Sequence, residues 1–464
     1  MINTDTDAVR IWNVTNSPTL GNLSTYNSPG TYLQGQLYKN ITIDEHGKQL
    51  IEFKDKDGRV ILKKVQLTAS ADDGTGRNHE GWLCTYYIYD VLGNLLCVIQ
   101  PEAIKKMSDP LNTNWDLTPY LNELCFRYEY DERNRLIIKK VPGAASVYMV
   151  YDKRDRLTML QDGNLASTGQ WLVTLYDELN RPIQTGLWNN NSTWVIHANA
   201  VHNTPNYYYP FNTNSLPSSG WMMLTQTHYD DYSNLPIGLT SYQNTWNINF
   251  LTNSHEWPYP ETPVASNATK GKVTYTSSRI LGSNDFIYTV TYYDDKGRSI
   301  QSQSTNITGG LDVVSTQYSW VGQPLVIVQQ QQKSGNNPQT HTIVTKILYD
   351  NLGRVDEIKK SVKSNINDTI LNKAEQTIVK NEYDELGQLK IKMIGISPNN
   401  PDTPLETLIY DYNIRGWLLG MNRSYALNSN SNNYFGFDLG YDKIDNNLLG
   451  GHIYVAPQFN GNIT

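Results

Sequence analysis

Three cysteines in 464 residues are too few for a disulfide framework, and Cys84, Cys97 and Cys125 do not fall at a zinc-binding spacing. Cys84 and Cys97 flank a turn at Tyr89 and are expected on neighbouring strands, with all three as buried thiols. Charge is sparse as well: 18% of residues are charged and the net charge is −7, which argues against a polyanion-binding surface and any nucleic-acid partner. No apolar run approaches the roughly 18 residues of a membrane-spanning helix. Met1–Asp5 is polar and acidic, without the basic and apolar regions of a signal peptide. Phenylalanine is scarce, 8 residues against 32 tyrosines, and that bias favours a wall wetted on both faces over a dry core.

What the chain has in abundance is one phrase. YDVLGNL begins at Tyr89, YDERNRL at Tyr130, YDKRDRL at Tyr151, YDELNRP at Tyr176, YDDKGRS at Tyr293, YDNLGRV at Tyr349 and YDELGQL at Tyr383, with the variant YNIRGWL at Tyr412. A catalytic residue need appear only once, so a phrase repeated this often is an architectural unit. Around Tyr383, residues alternate apolar and polar on both sides of a polar turn, which describes a half-buried β-hairpin. In that turn the aspartate (Asp90, Asp131, Asp152, Asp177, Asp294, Asp350, Asp384) accepts from backbone amides, and a glycine (Gly93, Gly297, Gly353, Gly387, Gly416) takes positive φ. Asn134, Asn180 and Asp155 occupy the glycine slot elsewhere.

Tyrosine spacing of 21 residues from Tyr130 to Tyr151 and 25 to Tyr176 makes each unit one strand pair, which must stack on its neighbours to bury its apolar side. About ten hairpins give roughly twenty strands and about 95 Å of flat sheet, more than an open twisted sheet sustains. The expected fold is therefore all-β: repeated antiparallel hairpins forming a curled, spiral wall.

Along the chain, residues 1–36 read as a loosely structured lead-in rich in Asn, Ser, Thr, Pro and Gly, and 37–186 as hairpin repeats. Residues 187–285 form a divergent region rich in aromatics and asparagine, 286–425 a second run of hairpins, and 426–464 a tail. Chemistry is hard to find. Asp55-Lys56-Asp57-Gly58 lacks the later ligands of a calcium loop and reads as a turn, and the Gly-bearing stretch Asp72-Asp73-Gly74-Thr75-Gly76 lacks the P-loop lysine. His255-Glu256 lacks the second histidine of a zinc protease, and no GxSxG elbow occurs. The four cations Arg133, Arg135, Lys139 and Lys140 read as solvated faces of one hairpin. No catalytic, metal-binding or cofactor-binding residue is expected, and no enzyme. Trp188, Trp194, Trp221, Trp246 and Trp257 are the candidates for stacking a glycan or a partner protein, against the plainer reading that they fill space under a long connection.

The YDxxGR phrases resemble the YD or RHS repeats of bacterial polymorphic toxins, of toxin-complex cocoon subunits and of teneurins. GQLYKNITIDEHGK, the stretch from Tyr292 to Leu325 and YDYNIRGWLLGMN from Tyr410 are similar to RHS proteins of Bacteroidetes, and PQFNGNIT resembles the segment before the RHS-associated core. The resemblance implies a hollow β-strand shell, exported or held at the cell surface. Inside it would lie a C-terminal toxin in cis, countered in the producer by an immunity protein. It supplies no catalytic residue, because the chain stops short of the self-cleaving core. A secreted or surface glycan- or receptor-binding protein is the alternative.

Overall fold

In this computed structural model, every residue is described except 18, 20, 45–46, 68–75, 110–114, 255–258, 398–402, 429–432 and 442–464. The chain divides into two compact units, Met1–Thr225 and Gln226–Thr464. The boundary falls inside the strand Trp221–Tyr229, within the region read as divergent. The fold is all-β, as the repeats imply.

In the first unit, strands run in chain order from Tyr38–Ile43 to Pro182–Asn189, each antiparallel to the next. In the second unit the same rule holds from Val273–Arg279 to Phe437–Asp438. The expected hairpins at IDEHGK and FKDKDGRV are present: Tyr38–Ile43 pairs with Gln49–Lys54, which pairs with Val60–Gln66. Cys84 and Cys97 lie on the paired strands Trp82–Tyr89 and Leu95–Ile99, and all three cysteines are free and buried.

Strict alternation fails at the same place in each hairpin that carries the Tyr-Asp phrase. Tyr89 faces Leu95 but Ile88 faces Cys97, so Leu96 has no partner. The same one-residue slip occurs at Tyr130, Tyr151, Tyr176, Tyr293, Tyr349 and Tyr383. Such a bulge adds right-handed twist at every hairpin. It also places two successive buried residues where alternation allows one, as at Leu96–Cys97, Ile137–Ile138 and Leu325–Val326.

Residues 1–36 are not a loose lead-in. Arg10–Thr15 and Thr25–Thr31 form a two-stranded sheet of their own. Val9, Tyr26 and Leu37 are buried against Ile51, Phe53, Leu62, Cys84 and Tyr86 of the main sheet. The Arg10 amide donates to the Tyr86 hydroxyl (2.8 Å), and the Tyr26 hydroxyl to the Leu96 carbonyl (3.1 Å). Asp7, almost fully buried, pairs with Lys39 at 2.6 Å. Composition misled here: a few apolar residues spaced far apart suffice when an open sheet face is waiting for them. In the second unit the cover comes from residues 232–251. Tyr232, Leu235 and Tyr242 pack on Tyr275, Val290 and Tyr292, and Trp246, Phe250 and Leu251 on Leu325, Val326 and Val328.

The turns take the backbone shape read from the repeat. Gly93 sits at φ +89°, and Asn134, Asp155 and Asn180 hold the equivalent place at φ 59°, 62° and 65°. A side chain at Gly93 meets nothing closer than 3.7 Å, so backbone strain alone decides what can replace it. Gly93→Ala is expected to lower stability by about 1 kcal/mol and Gly93→Asn by less than half of that, measured by urea denaturation.

Candidate functional site

Each repeat aspartate does two things. Asp177 Oδ1 accepts from the amides of Leu179 (2.9 Å) and Arg181 (2.8 Å), while Oδ2 receives Arg181 Nε at 2.7 Å. Asp131, Asp152 and Asp350 repeat this set with Arg135, Arg156 and Arg354. Asp294 does so with Arg298, and Asp384 caps its turn through Leu386 and Gln388. Asp90 holds Asn94 in the arginine's place. Asp55 caps a turn of the same kind with Arg59. Burial raises the carboxyls of Asp177 and Asp350, but the amides and the guanidinium outweigh it and hold both below the usual range.

The arginine then crosses to the following hairpin. Arg135 lies 4.8 Å from the ring centre of Tyr151, Arg156 4.8 Å from that of Tyr176, Arg298 5.0 Å from Tyr318 and Arg354 4.2 Å from Tyr383. Arg156 also donates to the Asp177 carbonyl at 3.2 Å. The tyrosine hydroxyl points back: Tyr151 donates to the Leu136 carbonyl, Tyr176 to Leu157, Tyr293 to Val273, each at 2.8 Å. Tyr349 and Tyr383 do the same to Pro324 and Val355. This accounts for tyrosine at these positions rather than phenylalanine, since the rings of Tyr151, Tyr176, Tyr318 and Tyr383 are cation platforms and their hydroxyls cross-hairpin donors. Arg135, read as a solvated cation, is instead held by Asp131, Asp155 and the Tyr151 ring, and Arg133 pairs with Asp155.

The candidate stacking tryptophans are turned inward. Trp194 opens the helix Trp194–Asn203, is 7% exposed, and donates its indole N–H to the Met149 carbonyl at 2.7 Å. Trp188 and Trp221 meet Phe211 edge-on from two sides, both with ring centres 5.3 Å away. Gly186 makes room for Trp221, since a Cβ there would come within 2.6 Å of the Met222 carbonyl. Trp246 is half-buried against Phe250 and Val326. Trp194 is buried and Trp188, Trp221 and Trp246 are half-buried by packing, which leaves each of them little open ring surface for a sugar. Trp257 lies outside the described residues, as do His255, Glu256 and Asp72–Thr75.

Two features escaped the sequence reading. Gln301, Gln303 and Gln317, all at most 1% exposed, hold the covering segment by its main chain. Gln301 accepts from the Gln243 amide (2.9 Å) and donates to the Gln243 carbonyl (2.8 Å). Gln317 does the same to Leu251 (2.8 and 2.9 Å), and Gln303 to the Thr240 amide and the Ser241 carbonyl (3.0 and 3.1 Å). The signal was the alternating QSQ within SIQSQST, glutamine on the face where a core residue would be expected. The second is a cleft of about 500 Å³ lined by Glu261–Ser266, Asp294–Lys296 and Arg298. Lys296 and Arg298 pair with Glu261 there and hold its carboxyl below its usual range. Among the described residues, no group of three or more His, Cys, Asp or Glu could hold a metal ion. No helix among them is long and apolar enough to cross a membrane.

No protein-family model matches the chain, and no curated protein matches it. Among solved structures it is similar to the TcdB2-TccC3-Cdc42 crystal structure (12% identity, TM-score 0.33, covering 89% of this chain and 19% of that one). The Photorhabdus luminescens Tc holotoxin pore is similar at 13% identity and TM-score 0.33, over 86% of this chain and 20% of that one. TcdB2-TccC3 is similar at 13% identity and TM-score 0.33, over 93% and 23%. The chain thus spans about a fifth of the length of these structures, and a TM-score of 0.33 is too low to carry a functional assignment.

Replacing Asp152, 1% exposed, removes two amide acceptors and leaves Arg156 without its carboxylate. Asp152→Ala is expected to cost about 2–4 kcal/mol. Asp90→Ala, half-buried with a neutral partner, should cost about 1 kcal/mol, and chemical denaturation ranks the two. Burial also lowers His197, packed among Trp171, Trp188 and Tyr209, to about 4. Its unfolded value is near 6.5, so between these values only the unfolded chain takes up the proton. Stability from this group is complete above pH 6.5, declines as pH falls through the window, and levels off below about 4. His197→Gln should therefore show a smaller loss of melting temperature from pH 7 to pH 4.5 than the wild-type chain.

Proposed function

We propose that the chain is a stretch of structural wall that encloses a polypeptide cargo, and that it performs no catalysis. The observation that carries this reading is the glutamine clamp. Gln301, Gln303 and Gln317 grip the covering segment mainly through its N–H and C=O groups, with one further bond from the Thr240 hydroxyl to Gln303. A face whose polar grip falls mostly on main chain suits a cargo of variable sequence. The hairpin-to-hairpin lock supports it further, because it is extendable: each unit presents a tyrosine to the one before and an arginine to the one after.

By resemblance to the YD and RHS repeats, the cargo is a toxin domain encoded downstream in the same chain, and the assembly acts outside the cell that makes it. Such a producer needs an immunity protein against that domain. The inward-turned tryptophans give the glycan-binding alternative no support.

Limited proteolysis of the full-length gene product tests this. The segment encoded after Thr464 is expected to resist protease at least tenfold longer within the full chain than when expressed alone. Asp152→Ala, which loosens the lock, should shorten that protection. Equal cleavage rates in the two contexts would sink the encapsulation reading.

A further inference from the structure

Strands Cys125–Tyr130 and Leu136–Lys140 pair so that Arg127 stands directly opposite Lys140. Two cations facing each other across antiparallel strands repel, with Cβ atoms about 5 Å apart, unless an anion lies between them. Arg127 is 6% exposed. Its Nη2 donates to the Ser24 carbonyl (2.7 Å), the Tyr26 hydroxyl lies beside it, and its buried Nε has no hydrogen-bond partner. Lys140 donates one of its three protons to the Ala144 carbonyl. Among the described residues neither cation has a carboxylate within ion-pair distance. Glu129, two residues along the strand from Arg127, is engaged by the Ser24 amide. A guanidinium taken out of water without a paired anion is a costly arrangement.

Both cations line a groove of about 490 Å³, a volume in the range of small-ligand sites. No acidic residue lines it. The rest of its wall is hydroxyls and amides, notably Asn16, Asn22, Asn122 and Ser146, with the Tyr148 ring at one side. Lys140 and Tyr148 lie on the same sheet face, because Ile138 pairs with both Tyr148 and Glu129. The two-stranded sheet formed by residues 10–31 closes the other side through Thr15 and Thr25.

We propose that this groove binds a small organic carboxylate rich in hydroxyl groups, the chemical class of uronic and sialic acids. The carboxylate bridges Arg127 and Lys140, which both line the groove. The asparagine amides and serine hydroxyls answer the ligand's own hydroxyls, and the tyrosine ring gives its apolar face a surface to lie on. The site is independent of any cargo, so its success or failure leaves the enclosure reading untouched.

Titration calorimetry and thermal shift on the whole chain test it, with D-glucuronate, N-acetylneuraminate, D-glucose and inorganic phosphate as probes. At least one of the two acids is expected to bind saturably and raise the melting temperature, with glucose silent at equal concentration. Lys140→Gln should weaken that binding about tenfold and Lys140→Glu abolish it. Arg127→Gln is the complementary variant, but Lys140, at the surface end of the pair, carries the test because its replacement leaves the fold intact. Added sodium chloride should weaken the binding. Three results would overturn the proposal: no saturable binding of either acid at millimolar concentration, unchanged affinity in Lys140→Glu, or phosphate or glucose binding as tightly as the acids.

Discussion

A hairpin with strands of five to eight residues cannot bury its apolar side alone, so the chain has to fasten each one to the next. The fastening is a guanidinium. Arg156 is fixed by the Asp152 carboxylate on its own turn and projects over the Tyr176 ring and the Asp177 carbonyl of the following turn. Tyr176 returns the link through its hydroxyl to the Leu157 carbonyl. An exposed ion pair contributes little. This one is different because the aspartate is buried and the arginine's remaining donors are directed at fixed acceptors. The repeat signature is the minimal parts list for that joint, one residue type for each contact.

The sheet faces impose the second constraint. An open β-wall leaves apolar residues to be covered, and each unit covers them with its own chain. In the first unit residues 9–37 supply Val9, Tyr26 and Leu37 to a core centred on Phe53 and Tyr86. In the second, a long connection without strands is laid across the face, and glutamine side chains stand in for the missing neighbouring strand. Satisfying the main chain of such a segment with side-chain amides resolves the difficulty of burying irregular backbone.

The strands, the turns and their left-handed positions could be read residue by residue, because they depend on neighbours in sequence: Asn134, Asp155 and Asn180 each replace glycine at positive φ. The tyrosines and aspartates could be singled out from the repeat, but their partners could not. Arg135 looked like a solvated charge because nothing local shows the Tyr151 ring 4.8 Å away. Whether Trp188, Trp194, Trp221 and Trp246 stack a ligand or fill space could not be decided, because composition records aromatic content and not which way a ring faces. The bulge at each tyrosine was hidden too, although doubled apolar pairs such as Leu96–Cys97 and Ile137–Ile138 carry its mark.

By itself, the sequence determined that this chain is a succession of β-hairpins with capped turns, since turn geometry and strand alternation are encoded within a single repeat of some twenty residues. Tertiary structure alone decided what covers the sheet faces, which way the described part of the aromatic insertion turns, and that Arg127 stands opposite Lys140 with no carboxylate among the described residues paired to either. Those outcomes rest on contacts between residues 13 to 105 positions apart, where packing and desolvation choose among partners that no local pattern distinguishes.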